Sequence, residues 1–280
     1  MIKSLLRFIK MAIGYAGMAM RHSRIKGKKA RFEIFKTLVL LTYKSKYHPE
    51  SEVMQEFFGF KVSANSPQTL LSLYREIFVD EVYYFDSNHA SPKIIDCGAN
   101  MGISMLYFKH LFPNAQIIAI EPNPMALQYL EKNIKQNFLE DVHVEKACVS
   151  DKVGKEKFYY SNKINIANAS LFPEIGKHYL MEVDSLQLSD YLSKDIYDLV
   201  KVDVEGAERQ VLKELKTSGQ LQKSKRYIIE YHHAPEYLED TLQEILETFS
   251  EAGFSFSISG DEGDKVLNFE YSPNFREKNP

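Results

Sequence analysis

Residues 94–104, Ile-Ile-Asp-Cys-Gly-Ala-Asn-Met-Gly-Ile-Ser, constrain the fold more than any other stretch of the chain. Ile94 and Ile95 follow Ser91-Pro92-Lys93 and read as the apolar run of a buried parallel strand ending at Asp96. A helix then opens, with Ile103, Leu106, Tyr107 and Leu111 on one face and Pro113 as its stop. Gly98 and Gly102 bracket the turn, where the lack of a Cβ permits positive φ and lets a ligand lie against the backbone. Glycine-rich strand-to-helix turns commonly receive a nucleotide.

Charge decides which nucleotide. The dinucleotide fingerprint Gly-x-Gly-x-x-Gly offers bare amides to a pyrophosphate, whereas here the pattern is Asp96-x-Gly98-x-x-x-Gly102 with a carboxylate at the strand tip. Two unit charges about 4 Å apart are worth ~4 kcal/mol at an effective dielectric of about 20. An unpaired Asp96 therefore disfavours a diphosphate and favours a cation. S-adenosylmethionine, with an adenosine, a sulfonium and an ammonium but no phosphate, fits a turn that is both glycine-rich and acidic. The bland reading is an ordinary βα turn with a solvated Asp.

A second buried strand, Gln116–Ile120, ends at Glu121, and Glu121-Pro-Asn-Pro124 then caps a helix over Met125–Asn137. Glu121 lies beside the glycine turn, where it can accept both ribose hydroxyls of an adenosine. The third strand is read as Val142–Val149. In a sheet running third, second, first, its tip adjoins Glu121, where an adenine projects. Asp151 or nearby backbone meets the adenine there, or Asp151 only makes a turn with Lys152 and Gly154. Cys97 and Cys148 near two strand tips would be ~9.6 Å apart. That is too far for a disulfide, and two unpaired thiols suit a reducing compartment. Lys155–Tyr160 alternates like a strand. The Asn-rich run Ser161–Ser170 reads as a loop in which Asn162, Asn165, Asn168 and Ser170 either contact a ligand or face solvent.

The second diagnostic stretch is Asp198-Leu-Val-Lys-Val-Asp-Val-Glu-Gly-Ala-Glu208. Asp203 ends the fourth strand, which should adjoin the first at the topological switch point and face the methyl donor. Glu205 and Glu208 sit in the first helical turn, where compensation of the helix dipole is a sufficient reason for them. Lys201, inside a central strand, needs a partner, and Glu230 of Tyr227–His232 is a candidate. His232, with a pKa near neutral, is either a catalytic base or an ordinary surface histidine. Asp203, Glu205 or His232 could take an acceptor proton directly or through water. Asp203 with Glu205 could hold a divalent cation, but the sequence shows no dense ligand set and no metal is expected.

The rest of the chain is read as accessory. Nine Lys and Arg precede the first acid, Glu33, so residues 1–32 carry +9 while the remainder, with 26 bases against 38 acids, carries −12. Such asymmetry fits an anionic partner, such as an anionic membrane surface touched by an interfacial helix. Packing on the catalytic domain or on another copy is the competing reading. The longest uncharged run of residues 1–20, Met11–Met20, is too short to span a bilayer. Residues 33–90 read as a helical accessory segment. It has a helical face at Phe32, Phe35, Leu38, Val39 and Thr42, a short strand over Phe58–Val62, and a helix capped by Ser66-Pro67 and running to Phe78.

Ile94–Gly102, Ala119-Ile-Glu-Pro122 and Val200–Glu208 together resemble, in order and spacing, the FkbM family of S-adenosylmethionine-dependent methyltransferases. The resemblance covers roughly residues 92–260. It implies an α/β fold, the class I methyltransferase (Rossmann-like) sheet of seven strands in order 3-2-1-4-5-7-6 with the last strand antiparallel, plus an N-terminal helical extension. Phe254–Ser259, a Gly260-Asp-Glu-Gly263 turn and Val266–Tyr271 suit the closing hairpin. The lead-in Phe57–Val62 and Tyr74–Phe78 resembles bacterial members associated with surface polysaccharides. The expected division is 1–32 basic segment, 33–90 accessory segment and 91–275 methyltransferase domain. The expected activity is O-methylation of a hydroxyl on a sugar, surface glycan or related small molecule. Asp96, Gly98, Asn100, Gly102, Glu121 and Asp151 are expected at the cofactor, and Asp203, His232 and Glu205 at the chemistry. A non-catalytic glycolipid-binding protein and an NAD-dependent sugar oxidoreductase are the alternatives. No nucleic acid is expected, because the catalytic part is acidic. The expected setting is the cytoplasm, with contact at the inner membrane face through residues 1–32.

Overall fold

The computed structural model describes residues 2–21, 27–160, 170–171, 179–232, 241–260 and 265–272. The chain divides into two units, Met1–Tyr84 with Tyr129–Leu139, and Phe85–Gln128 with Glu140–Pro280.

The first unit holds α1 (Ile2–Arg21), α2 (Lys28–Tyr47), β1 (Val53–Phe57), β2 (Phe60–Ala64) and α3 (Pro67–Tyr74), which widens into one π turn over Arg75–Val79. Where one strand was expected, β1 and β2 form an antiparallel hairpin, because Val53, Gln55 and Phe57 alternate inward and Phe58-Gly59 both take positive φ at the turn. On α2 the buried face is Ile34, Thr37, Leu38 and Leu41, while Phe32, expected inside, is 62% exposed. Apolar residues stand all round this helix, so its own period does not select a face. The Ser66 cap is as expected, its side chain accepting from the Thr69 amide at 3.1 Å with Pro67 in the first turn. Phe57 packs its ring 4.7 Å from Tyr74 and 5.2 Å from Phe78. Asn133 ties the unit's hairpin by a reciprocal pair with the Ser63 backbone, at 2.8 and 3.0 Å.

The second unit runs β3 (Lys93–Cys97), α4 (Ile103–Leu111), β4 (Gln116–Ile120), α5 (Pro124–Gln136), β5 (Val142–Glu145), β6 (Ala147–Val149), β7 (Gly154–Tyr160) and β8 (Tyr179–Leu186). It continues with α6 (Ser189–Leu192), β9 (Leu199–Val202), α7 (Glu208–Ser218), β10 (Arg226–Tyr231), α8 (Thr241–Glu251), β11 (Phe254–Gly260) and β12 (Lys265–Tyr271). From Tyr129 onward, α5 counts with the first unit. Seven strands form one sheet in the order β5-β4-β3-β9-β10-β12-β11. Counted along the chain this is 3-2-1-4-5-7-6, with β12 antiparallel to both neighbours, as expected. Every residue of β9, and all of β3 beyond Lys93, is buried, as strands covered on both faces must be. Turn residues 261–263 lie outside the described residues.

The third strand departs from its expected extent. Only Val142–Glu145 pairs with β4; Ala147–Val149 leaves the large sheet and joins a three-stranded sheet, β6-β8-β7. The apolar pattern continues across Lys146 although the pairing partner changes. This break places Cys148 and Val149 beside Glu121 in a cavity wall.

Candidate active site

The site is built where β3 and β9 lie side by side at the sheet's centre. Their parallel register sets Asp96 opposite Lys201. Lys201 is 1% exposed and Asp96 fully buried, and the ammonium reaches Asp96 at 3.2 Å and Asp203 at 3.1 Å. The ammonium also donates to the carbonyls of Gly98 at 2.8 Å and Cys97 at 3.3 Å. Burial opposes its charge, but Asp203 and Asp96 outweigh burial and hold it protonated. The Ser104 hydroxyl donates to Asp96 at 2.6 Å. Asp96 therefore lies beneath the glycine turn as the counter-ion of Lys201, and the cavity wall does not include it. The charge argument against a diphosphate accordingly passes from Asp96 to the carboxylates that do line the cavity. Glu230, the expected partner of Lys201, adds a weaker charge effect behind these two.

Gly98, at φ 74°, meets a steric demand different from the one its sequence context suggests. A Cβ there would stand 1.8 Å from the Asp203 carbonyl, so the crossing of the β3 and β9 tips requires the glycine before any ligand arrives. The Gly98 and Ala99 amides donate to the Ile120 carbonyl at 2.9 and 3.0 Å, closing the turn on β4. Gly102 opens α4 in the left-handed conformation, at φ 82°. Asn100, also at positive φ, sends its amide to Glu121 at 2.8 Å, while the Asn123 amide donates to the other Glu121 oxygen at 2.7 Å. Burial raises the Glu121 carboxyl to about 7 against those two hydrogen bonds and the charge of Lys201.

The cavity above this framework encloses about 540 Å³, part of it open to solvent. Gly98, Asn100, Glu121, Asp203 and Glu205 line its polar side; Ile120, Cys148, Val149, Phe158 and Leu171 line the apolar side. The apolar slot beside Glu121 was absent from the sequence-based site, although the alternation at Lys155–Tyr160 had marked the strand that supplies Phe158. Asp151 lies outside the cavity wall, exposed on a turn, where its carbonyl accepts from Gln187 at 2.8 Å. Ser170 reaches the Glu205 carbonyl with its hydroxyl; Asn162, Asn165 and Asn168 lie outside the described residues. Both cysteines are free and buried, and burial pushes the Cys148 thiol up to about 12. Another hollow, at the opposite ends of the strands around Lys93, Gln116 and Asp141, contains none of these groups.

His232 stands 3.0 Å from Glu208 through Nδ1, and its Nε2 is 3.5 Å from Glu205 and 3.9 Å from Glu230. Burial works against the imidazolium, but the hydrogen bond and charge of Glu208, with Glu205 and Asp203 behind it, raise its pKa to about 11. The expected near-neutral pKa is thus corrected: a histidine ringed by carboxylates holds its proton and has no free ring nitrogen to accept another. Glu205, at φ 52°, is raised to about 8 by burial and by Asp203, Glu208 and Glu230, with His232 pulling the other way. One oxygen or nitrogen each from Asp203, Glu205 and His232 lies within 4.8 Å of the others, a set able to hold a divalent cation in which His232 is the member that the sequence spacing does not reveal.

A sheet of this order with its last strand reversed, a glycine turn on the first strand and a buried acid ending the second define a class I methyltransferase. Residues 96–256 match the methyltransferase FkbM domain, and the chain belongs to the FkbM methyltransferase family. It is 31% identical over 174 residues to methyltransferase sdnD of Sordaria araneosa, covering 50% of this chain and 67% of that protein. It is 26% identical over 176 residues to the 31-O-demethyl-FK506 methyltransferase FkbM of Streptomyces tacrolimicus, covering 50% and 66%. The 2-O-methyltransferase NoeI of Sinorhizobium fredii is 30% identical over 138 residues, covering 43% of this chain and 56% of its own length. S-adenosylmethionine is the methyl donor of the family, and the cavity suits it. The Oδ1 of Asn100 is buried there without a hydrogen-bond partner among the described residues, beside a buried carboxylate and an apolar slot.

Proposed function

We propose that this chain methylates a hydroxyl oxygen of a sugar, surface glycan or related small molecule. The observation that carries the reading is the presence in one cavity of two carboxylates with different surroundings. Glu121 is fixed by two backbone amides on the strand tip, whereas Glu205, with no such clamp among the described residues, is raised to about 8. Two relatives, a 2-O-methyltransferase and a 31-O-demethyl-FK506 methyltransferase, support oxygen as the acceptor atom.

When bound, the donor supplies an electrophilic methyl group on a sulfonium. Glu121 would hold the ribose hydroxyls, Asn100 Oδ1 would offer a further acceptor, and the apolar slot of Cys148, Val149, Phe158 and Leu171 would take the adenine. Asp203, held by Lys201, faces the ammonium end. Glu205 would take the proton of the acceptor hydroxyl, and holding that oxygen in line with the donor would supply much of the rate. His232, already an imidazolium, draws the proton affinity of Glu205 down towards neutrality. A carboxyl at about 8 exchanges protons with a hydroxyl far more readily than one at its ordinary value.

Calorimetric titration with S-adenosylmethionine, S-adenosylhomocysteine and NAD tests the donor site, followed by an acceptor screen beginning with hydroxylated sugars. Saturable binding of the first two, weakened at least tenfold in Glu121→Ala, and methyl transfer to an oxygen are expected. Donor binding with no turnover on any hydroxylated acceptor would favour the glycolipid-binding alternative, and binding of NAD alone would overturn the donor assignment.

A further inference from the structure

Helix α2 turns a continuous stripe outward within the first unit. At about 100° per residue, Lys29, Phe32, Lys36, Leu40, Tyr43 and Tyr47 fall within an arc of about 80°. Phe32 is 62% exposed, Tyr43 53% and Tyr47 54%, and Lys29 and Lys36 are exposed between and beside them. The opposite face, Ile34, Thr37, Leu38 and Leu41, is the buried one. Large apolar groups are thus carried on both sides of the helix, whereas packing requires them on one. The two tyrosine rings lie 4.7 Å apart, and the Lys46 ammonium sits 5.2 Å from the Tyr47 ring centre. Helix α1 adds exposed Lys10, Ile13 and Met20.

Charge selects the occupant. Residues 1–49 contain twelve Lys and Arg and a single acid, Glu33, which is itself paired with Lys36 at 3.6 Å. A second copy of so basic a surface would be repelled, and an apolar protein partner would not need the bases. Aromatic and aliphatic side chains interleaved with lysines along one helical face match a bilayer's interfacial zone, where rings sit at the headgroup level and lysines meet anionic lipid phosphates. Among the described residues no helix is long and apolar enough to cross a membrane, so the contact would lie in the plane of the surface. We propose that the outer stripe of α2, with exposed Lys10, Ile13 and Met20 of α1, docks this protein on an anionic phospholipid surface. The methyltransferase chemistry neither requires nor supplies this contact.

The test is vesicle flotation of the full chain with phosphatidylglycerol-containing vesicles and with phosphatidylcholine alone, at 0.1 M and 0.5 M salt (~10 Å of screening length at the lower value). Binding to the anionic vesicles, at least tenfold weaker on phosphatidylcholine and at high salt, is expected. Phe32→Ser/Tyr43→Ser should lower it at least tenfold. Lys29→Glu/Lys36→Glu should do the same, and both variants should keep the wild-type melting temperature and donor affinity. No flotation with anionic vesicles, equal flotation with both lipids, or folded variants that bind as wild type would overturn the proposal. So would a concentration-dependent dimer that the same substitutions dissociate without lipid.

Discussion

Removing the ammonium of Lys201 would leave Asp96 and Asp203 without their shared counter-ion, one of them with no exposed surface. Breaking a buried pair from one side costs about 3–5 kcal/mol, so Lys201→Met should lose that much in urea unfolding. Adding Asp96→Asn should recover part of the loss, because the remaining buried group is then neutral. Lysine within a central strand was legible as needing a partner, but which acids it meets depends on a register that the sequence does not print. The same holds for His232, whose raised pKa is a property of three neighbours from other parts of the chain. Turnover should rise as pH climbs through about 8, where Glu205 loses its proton and becomes able to take another. His232→Gln removes the charge that pulls Glu205 down, so in that variant the rise should move to higher pH while donor affinity stays nearly unchanged. A pH–kcat profile of both proteins checks this, and a rise at the same or lower pH would remove Glu205 from its role.

At the scale of elements, the crossing of two strand tips sets the glycine turn. Gly98→Ala introduces a Cβ that meets the Asp203 carbonyl at 1.8 Å and a left-handed residue that alone costs about 1–2 kcal/mol. Calorimetry should show at least tenfold weaker donor binding, accompanied by a lower melting temperature. Gly59→Ala, with nothing within 4 Å of its Cβ, should cost only the conformational part and leave donor binding intact. The strands of the large sheet and the Ser66-Pro67 cap were readable because pattern and capping are local, whereas β1 and β8 were not read. The division of Val142–Val149 between two sheets was not, since both halves are equally apolar and only the partner strand β8 distinguishes them. The buried face of α2 escaped for a related reason: an apolar residue is available on every side, and packing chooses.

For the whole molecule, donor binding and folding are linked. A ligand held only by the folded state at one hundred times its dissociation constant adds ~2.7 kcal/mol of stability. At about 2–4 °C per kcal/mol for chains approaching this size, the melting temperature should rise by roughly 5–10 °C with S-adenosylmethionine. Glu121→Ala should abolish most of that rise while leaving the donor-free melting temperature close to wild type or higher, since the raised carboxyl is a cost to the empty fold near neutral pH. The sequence by itself determined a parallel α/β sheet, the position of its switch point and the acid at the tip of the second strand, because these follow from periodicity and local turn chemistry; the seven-strand order came only through the family resemblance of three short stretches. Only the tertiary structure decided that Asp96 answers Lys201 beneath the turn, and that Glu205 helps hold the His232 proton while His232 lowers the proton affinity of Glu205. It also decided that an apolar slot forms beside Glu121. Burial and charge act through space, and the residues that set them lie up to more than one hundred positions apart along the chain.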